Sequence, residues 1–180
     1  MAEKSMSEPE KKLVISNDRI MARIRELASQ ISEDYADKDL VLIGVLNGVF
    51  MFFAELAQLL TVPAGVDFIR LASYGPDSES SGRVLMTKDV ETDLTGRDVL
   101  IVEDIADSGL TLNWLRDHLE KLGAKSIATC VLIDKMERRA ITVPIEYSGF
   151  NIEEGFLVGF GLDFDGRYRC LPDIYHLVMP

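Results

Sequence analysis

Apolar positions along the chain change their period several times, and each change predicts an element. After Ser16-Asn17-Asp18, residue types suited to capping a helix, Ile20, Ile24, Leu27 and Ile31 recur at three- and four-residue intervals with Arg23, Arg25 and Glu26 between them. That spacing predicts an amphipathic first helix. Residues 39–46, DLVLIGVL, form a short continuous apolar run, as a strand covered on both faces requires, and VFMFFAELAQLL after Asn47-Gly48 predicts a second helix. AGVDFIRLASY (64–74) and RVLMTKDV (83–90) read as strands around the polar GPDSESSG (75–82), which predicts a hairpin with a long mobile tip.

A further strand is predicted from Asp98 to Glu103. TLNWLRDHLEKLG (111–123) places Leu112, Leu115, Leu119 and Leu122 on one helical face with Gly123 as a C-cap, and SIATCVLIDK (126–135) is another buried strand. IEYSGF, FLVGFG and DIYHLVM are strand-like but separated by acids, Gly and Pro. Strands alternating with helices across short turns predict an α/β fold around a mostly parallel central sheet flanked by helices, with ligands beyond the carboxyl ends of the strands. One domain over 13–180 is expected, behind a charged stretch, 1–12, with too little apolar surface to be more than a flexible tail.

Composition narrows the function classes. The formal net charge of -11 repels nucleic acid and anionic lipid, so no nucleic acid or membrane partner is expected and an anionic ligand must be held by local donors. Cys130 and Cys170 give neither a disulfide framework nor a metal-ligand spacing, which predicts a reducing, cytoplasmic setting. MAEKSMSEPEKKL has no apolar core of a signal segment, and no run approaches the ~20 apolar residues of a bilayer span.

The chemistry concentrates in VLIVEDIADSGLTL (99–112). An apolar strand ends in Glu103-Asp104, and Asp107-Ser108-Gly109 then opens a helix, bringing backbone N–H groups, a hydroxyl and a helix N-terminus to one volume. Such a turn is a phosphate cradle. The acids suit hydroxyl groups or Mg2+ on the same ligand, as a phosphorylated sugar would present them, although spacing alone equally allows a plain N-capped helix with solvated acids.

This stretch resembles the phosphoribosyl-pyrophosphate motif of type I phosphoribosyltransferases. LIGVLNGVFMF, LASYG, LIDKMERR and FLVGFGLDFDGRYRCLP are similar, in order and spacing, to the elements of hypoxanthine-guanine phosphoribosyltransferases. The resemblance implies transfer of the phosphoribosyl group from phosphoribosyl pyrophosphate to N9 of hypoxanthine or guanine, with Mg2+, giving IMP or GMP in purine salvage. It also implies a small hood built from the N- and C-terminal parts, a mobile hairpin lid, and a homodimer or homotetramer.

By the same resemblance, Asp107 is the acid-base group at purine N7, and Glu103 and Asp104 hold the ribose hydroxyls directly or through Mg2+. Asp107, Ser108, Gly109, Leu110 and Thr111 wrap the 5'-phosphate. Leu46, Asn47 and Gly48 form the pyrophosphate turn, Lys135 donates to O6 of the base, and Phe156 stacks on the purine. Leu157 reads the base edge with its main chain, Asp163 serves a second Mg2+ site, Arg169 grips pyrophosphate, and Ser73 and Tyr74 belong to the lid. His118, His176 and Trp114 are read as structural or exposed, and Arg138 and Arg167 receive no role. Thr111 also suits a helix cap.

Asn47, where many relatives carry a basic residue, Ala106, Leu110 and Met136 depart from the usual pattern, which bears on purine preference and phosphate affinity. The competing readings are a pyrimidine-linked RNA-binding regulator with uracil phosphoribosyltransferase activity, which needs a basic face, a xanthine-preferring relative, and a binding protein without turnover.

Overall fold

The computed structural model describes residues 9–73 and 84–178. Twelve elements follow in chain order: β1 (Glu10–Ile15), α1 (Asn17–Asp34), β2 (Leu40–Leu46), α2 (Phe50–Leu59), β3 (Ala64–Ser73), β4 (Val84–Lys88), β5 (Asp98–Ala106), α3 (Leu110–Lys121), β6 (Ser126–Lys135), β7 (Tyr147–Ile152), β8 (Leu157–Val158) and β9 (Ile174–Val178). A six-stranded sheet runs β4-β3-β2-β5-β6-β7. Its neighbours pair in parallel except β4, which returns antiparallel to β3 at one edge.

Alternation along the strands divides the core in two. Leu40 and Leu42, Leu100 and Val102, and Cys130 and Leu132 face α1 and α2, which supply Ile20, Ile24, Leu27, Ile31, Phe52 and Leu56. Val41 and Ile43, Val99 and Ile101, and Val131 face Leu112, Leu115 and Leu119 of α3. Successive side chains of a strand point to opposite faces, so a run apolar at every position is what a doubly covered sheet needs.

The second sheet, β1-β9-β8, is antiparallel and joins the two ends of the described chain. Its first strand begins at Glu10, inside the stretch 1–12 expected to be a tail, because the β1–β9 ladder is made by main chain and places Glu10 opposite Val178 and Lys12 opposite His176. Ser16 is the N-cap of α1 in extended conformation but makes no side-chain cap. The orphan N–H of Asn17 instead donates to Asp173 Oδ1 at 2.7 Å, from the turn before β9. Tyr74 and the hairpin tip 75–82 lie outside the described residues.

Three other expectations need correction. β5 continues three residues past Glu103, to Ala106, because Glu103, Ile105 and Ala106 stay in register with Val131, Ile133 and Asp134 of β6. Leu122 is exposed, since α3 ends at Lys121 and Gly123 takes a left-handed φ of 88°. Thr111 lies inside α3 and caps nothing; the N-cap is Gly109, with a left-handed φ of 81°.

Asp67 fixes the return of the β3–β4 hairpin. Its carboxylate accepts from the N–H groups of Phe68 and Glu91 at 2.7 Å and of Thr92 at 2.8 Å, and from Lys88 Nζ at 3.3 Å. Burial alone would raise its pKa, but the backbone donors of Thr92, Phe68 and Glu91 outweigh it and bring the value down to about 2. A pKa lower in the folded than in the unfolded chain gives stability that is full above the unfolded value and lost as pH falls toward the folded one. Asp67→Ala is therefore expected to lose about 2 kcal/mol at neutral pH. Denaturant unfolding should show this gap from the wild type narrowing between about pH 4 and pH 2; a gap independent of pH would contradict the assignment.

Candidate active site

The carboxyl ends of β2, β5 and β6 meet at one edge of the large sheet, and the segments leaving them build the site. After β5, Asp107, Ser108 and Gly109 turn the chain into α3. The N–H of Asn113 donates to Gly109 C=O at 2.9 Å, so the N–H groups of the first helical turn lie ahead of the helical ladder, with the positive end of the helix dipole behind them. Gly109 is required twice, by its φ and because a Cβ there would overlap the carbonyl oxygen of Ile141. Beside these donors, Asp107 Oδ1 is the one buried side-chain oxygen without a hydrogen-bond partner among the described residues. A buried acceptor left unpaired is costly unless a ligand completes it.

Glu103 and Asp104 are both buried, each 8% exposed. Burial first and the neighbouring Asp104 charge second push the Glu103 carboxyl well above the usual carboxylate range. Burial also raises Asp104, against the opposing pull of its bond with Glu103, the Ile105 N–H at 2.8 Å and the positive charge of Arg169. Two carboxyl groups confined this closely do not both ionise readily without a cation.

Asp104 also touches the turn after β2. The Leu46–Asn47 peptide is cis, and Gly48 presses so closely on the Asp104 carboxylate that a Cβ would overlap it. A Cβ on Gly161 would in turn overlap the carbonyl oxygen of Gly48. Gly161 is held by Arg169, whose Nη1 donates to its carbonyl at 2.7 Å and whose own carbonyl accepts the Gly161 N–H at 2.9 Å. Arg169 Nη2 lies 2.8 Å from Asp163 Oδ1, and Asp163 Oδ2 accepts the Gly166 N–H at 2.8 Å. The structure thus brings Leu46-Asn47-Gly48, Asp104, Asp163 and Arg169 into one cluster.

On the other side stands Lys135, the last residue of β6, which is 6% exposed. Its ammonium pairs with Glu137 at 2.7 Å. Phe156 is 39% exposed and meets Phe164 edge-on at 5.4 Å, leaving ring surface free for a planar ligand, and Leu157 follows it buried at the start of β8. Leu110 and Met136, two of the departures from the family pattern, are both exposed. Ser73 ends β3, and Tyr74, expected to belong to a lid, falls outside the described residues. His118 pairs with Asp89 at 2.8 Å and stacks on Trp114, away from this edge.

Sequence reasoning missed Glu137, Gly161 and Arg139. Arg139 bonds to the main chain of Ala106, Asp107 and Lys135, yet within MERR it looks like one more solvated charge. Nothing in local spacing distinguishes it from Arg138.

Mg2+ keeps several waters and is commonly held by one or two carboxylates together with substrate phosphates. Glu103 and Asp104, adjacent and buried, fit that demand. Among the described residues no group of three or more His, Cys, Asp and Glu converges as a complete protein cage, and Asp163 faces Arg169.

A mostly parallel sheet with a helix-opening turn beside two buried acids at its carboxyl edge is the arrangement expected of the phosphoribosyltransferase class. The family profile described as phosphoribosyl transferase domain matches residues 14–165. The hypoxanthine phosphoribosyltransferase of Escherichia coli strain K12 is 45% identical over 169 residues, 93% of this chain and 95% of that protein. The hypoxanthine-guanine phosphoribosyltransferase of Mycobacterium tuberculosis strain H37Rv is 44% identical, covering 89% of this chain and 83% of that one. Among solved structures, a hypoxanthine-guanine phosphoribosyltransferase from Bacillus anthracis superposes with a TM-score of 0.89 at 40% identity, over 95% of this chain and 100% of that one. The chain belongs to the hypoxanthine and hypoxanthine-guanine branch of the phosphoribosyltransferase family.

Proposed function

We propose that this enzyme transfers the 5-phosphoribosyl group from phosphoribosyl pyrophosphate to N9 of hypoxanthine or guanine, releasing pyrophosphate and forming IMP or GMP. The observation that carries the reading is the unpartnered, buried Asp107 Oδ1 in the turn that opens α3. In this reading the 5'-phosphate lies on the amides and hydroxyls of residues 107–111, and Asp107 is the catalytic residue that exchanges a proton with purine N7. Glu103 and Asp104 face the ribose hydroxyls. Mg2+ bound there would neutralise the paired carboxylates and the charge developing on pyrophosphate. Leu46-Asn47-Gly48 and Arg169 take the pyrophosphate, the arginine through its two-pronged donor face. Asp163 is proposed as the second Mg2+ site, Ser73 and Tyr74 as part of a closing lid.

Base selection follows from donor chemistry. An ammonium offers only donors, so Lys135 accepts a 6-oxo group and opposes the 6-amino group of adenine. Phe156 covers a ring face and the Leu157 main chain meets the base edge. Separate assays with hypoxanthine, guanine, xanthine, adenine and uracil test this: turnover with hypoxanthine or guanine but not adenine is expected, and turnover confined to uracil or adenine would overturn it. Lys135→Ala should raise KM for the base about 10- to 100-fold, the value of a charged hydrogen bond, and leave KM for phosphoribosyl pyrophosphate nearly unchanged. A kcat loss with an unaltered base KM would count against the assignment.

The same reading includes a cytoplasmic setting and a homodimer or homotetramer, which sedimentation would reveal. In support of a reducing compartment, both cysteines are free. No described helix is long and apolar enough to cross a membrane.

A further inference from the structure

One side chain ties the segment after β6 to the turn after β5. Arg139 Nε donates to the carbonyl of Asp107 at 2.9 Å, and Nη2 donates to the carbonyls of Ala106 and of Lys135, each at 3.1 Å. The same guanidinium pairs with the Asp134 carboxylate, and its side chain is only 10% exposed. The next two residues extend the clasp: the N–H groups of Ala140 and Ile141 donate to Ser108 C=O at 3.0 and 3.1 Å.

The geometry has a direct consequence for the cradle. In a trans peptide the C=O of one residue and the N–H of the next are fixed in one plane and point in opposite directions. Drawing the carbonyls of Ala106, Asp107 and Ser108 back toward residues 139–141 therefore turns the N–H groups of Asp107, Ser108 and Gly109 the other way. The last paired residues of β5 and β6 are Ala106 and Asp134, so the ladder does not reach the Asp107–Ser108 and Ser108–Gly109 peptides. A planar guanidinium with several N–H groups in a fixed fork can hold carbonyls from both strand ends at once, whereas an ammonium cannot reproduce that array.

We propose that Arg139 is a positioning residue of the transfer reaction: from behind the site it aims the cradle amides, sets the main chain of Asp107, and locks these to the strand end that carries Lys135. The proposal rests on the reading of residues 107–111 as the 5'-phosphate site.

The test compares Arg139→Gln with Arg138→Gln, an exposed neighbour expected to behave as wild type. Arg139→Gln should raise KM for phosphoribosyl pyrophosphate ~10-fold or more, the loss of about one charged hydrogen bond, and raise KM for the base as well. Arg139→Lys should fail to restore either value. A merely structural role would reduce the amount of active protein, and so apparent kcat, while both KM values stayed put. Should Arg139→Gln fail to fold, Asp134→Asn, which releases the guanidinium from one side, should move both KM values in the same direction by a smaller factor. KM values within twofold of wild type in the folded variant would overturn the proposal. Amide hydrogen exchange at Ala140 and Ile141, whose N–H groups are bonded to Ser108 C=O, separates this from the functional reading. Faster exchange in Arg139→Gln supports the clasp even if the wild type shows no turnover, which would instead defeat the phosphoribosyl assignment; unchanged exchange overturns the clasp.

Discussion

Replacing Asp107 by Asn is expected to lower kcat ~10^2-fold or more, the usual contribution of a positioned acid-base group, with small changes in KM for either substrate. The expectation rests on the isolation of Oδ1. A side-chain oxygen that is buried and bonded to nothing in the described residues contributes nothing to holding the fold, so the folded protein gains no stability from it. Asparagine keeps the size of the side chain and supplies an amide that can hydrogen-bond but exchanges no proton near neutral pH. Stability should thus be nearly unchanged while the chemical step suffers. Single-turnover rates with wild type and variant, beside their thermal unfolding, check this; a near-normal rate in Asp107→Asn would remove the residue from the mechanism.

Gly48→Ala should be comparably damaging for a steric reason. The added methyl would occupy the position of the Asp104 carboxylate, which is buried on β5 in the centre of the sheet and cannot swing into solvent. The turn must move instead, and its carbonyl is already packed against Gly161 in the loop held by Arg169. A displacement of about 1 Å in groups that position a substrate costs on the order of 10^2-fold in rate. Both kcat and KM for phosphoribosyl pyrophosphate should therefore worsen, and Gly161→Ala should reproduce the effect from the opposite side. Wild-type kinetics in Gly48→Ala would mean that the interlock of Gly48, Asp104 and Gly161 has no role in the reaction.

The layered core could be read directly from the chain because Ile20, Ile24, Leu27 and Ile31, and the runs in β2, β5 and β6, carry periods that only one arrangement of covered faces satisfies. The turn after β5 was equally visible, since Asp107-Ser108-Gly109 is contiguous between an apolar run and a helical period, although spacing alone did not separate a phosphate site from a plain capped helix. Glu103 and Asp104 misled the boundary of β5: carboxylates ordinarily close a buried strand, and here the main-chain ladder with β6 carries the strand through them to Ala106. Long-range contacts left no local trace. The packing of Gly48 against Gly161, 113 positions apart, and the reach of Arg139 back to Asp107 arise only when the strand ends are assembled. The pairing of Glu10–Lys12 with β9 was hidden for a related reason, as a main-chain ladder tolerates charged side chains on an exposed edge.

The most direct test of the account is formation of nucleotide by the purified protein from hypoxanthine, phosphoribosyl pyrophosphate and Mg2+, following IMP and pyrophosphate together. The account predicts that both appear in equal amounts and that formation of IMP ceases when Mg2+ is removed. Pyrophosphate without IMP, or tight binding of phosphoribosyl pyrophosphate without any product, would contradict it.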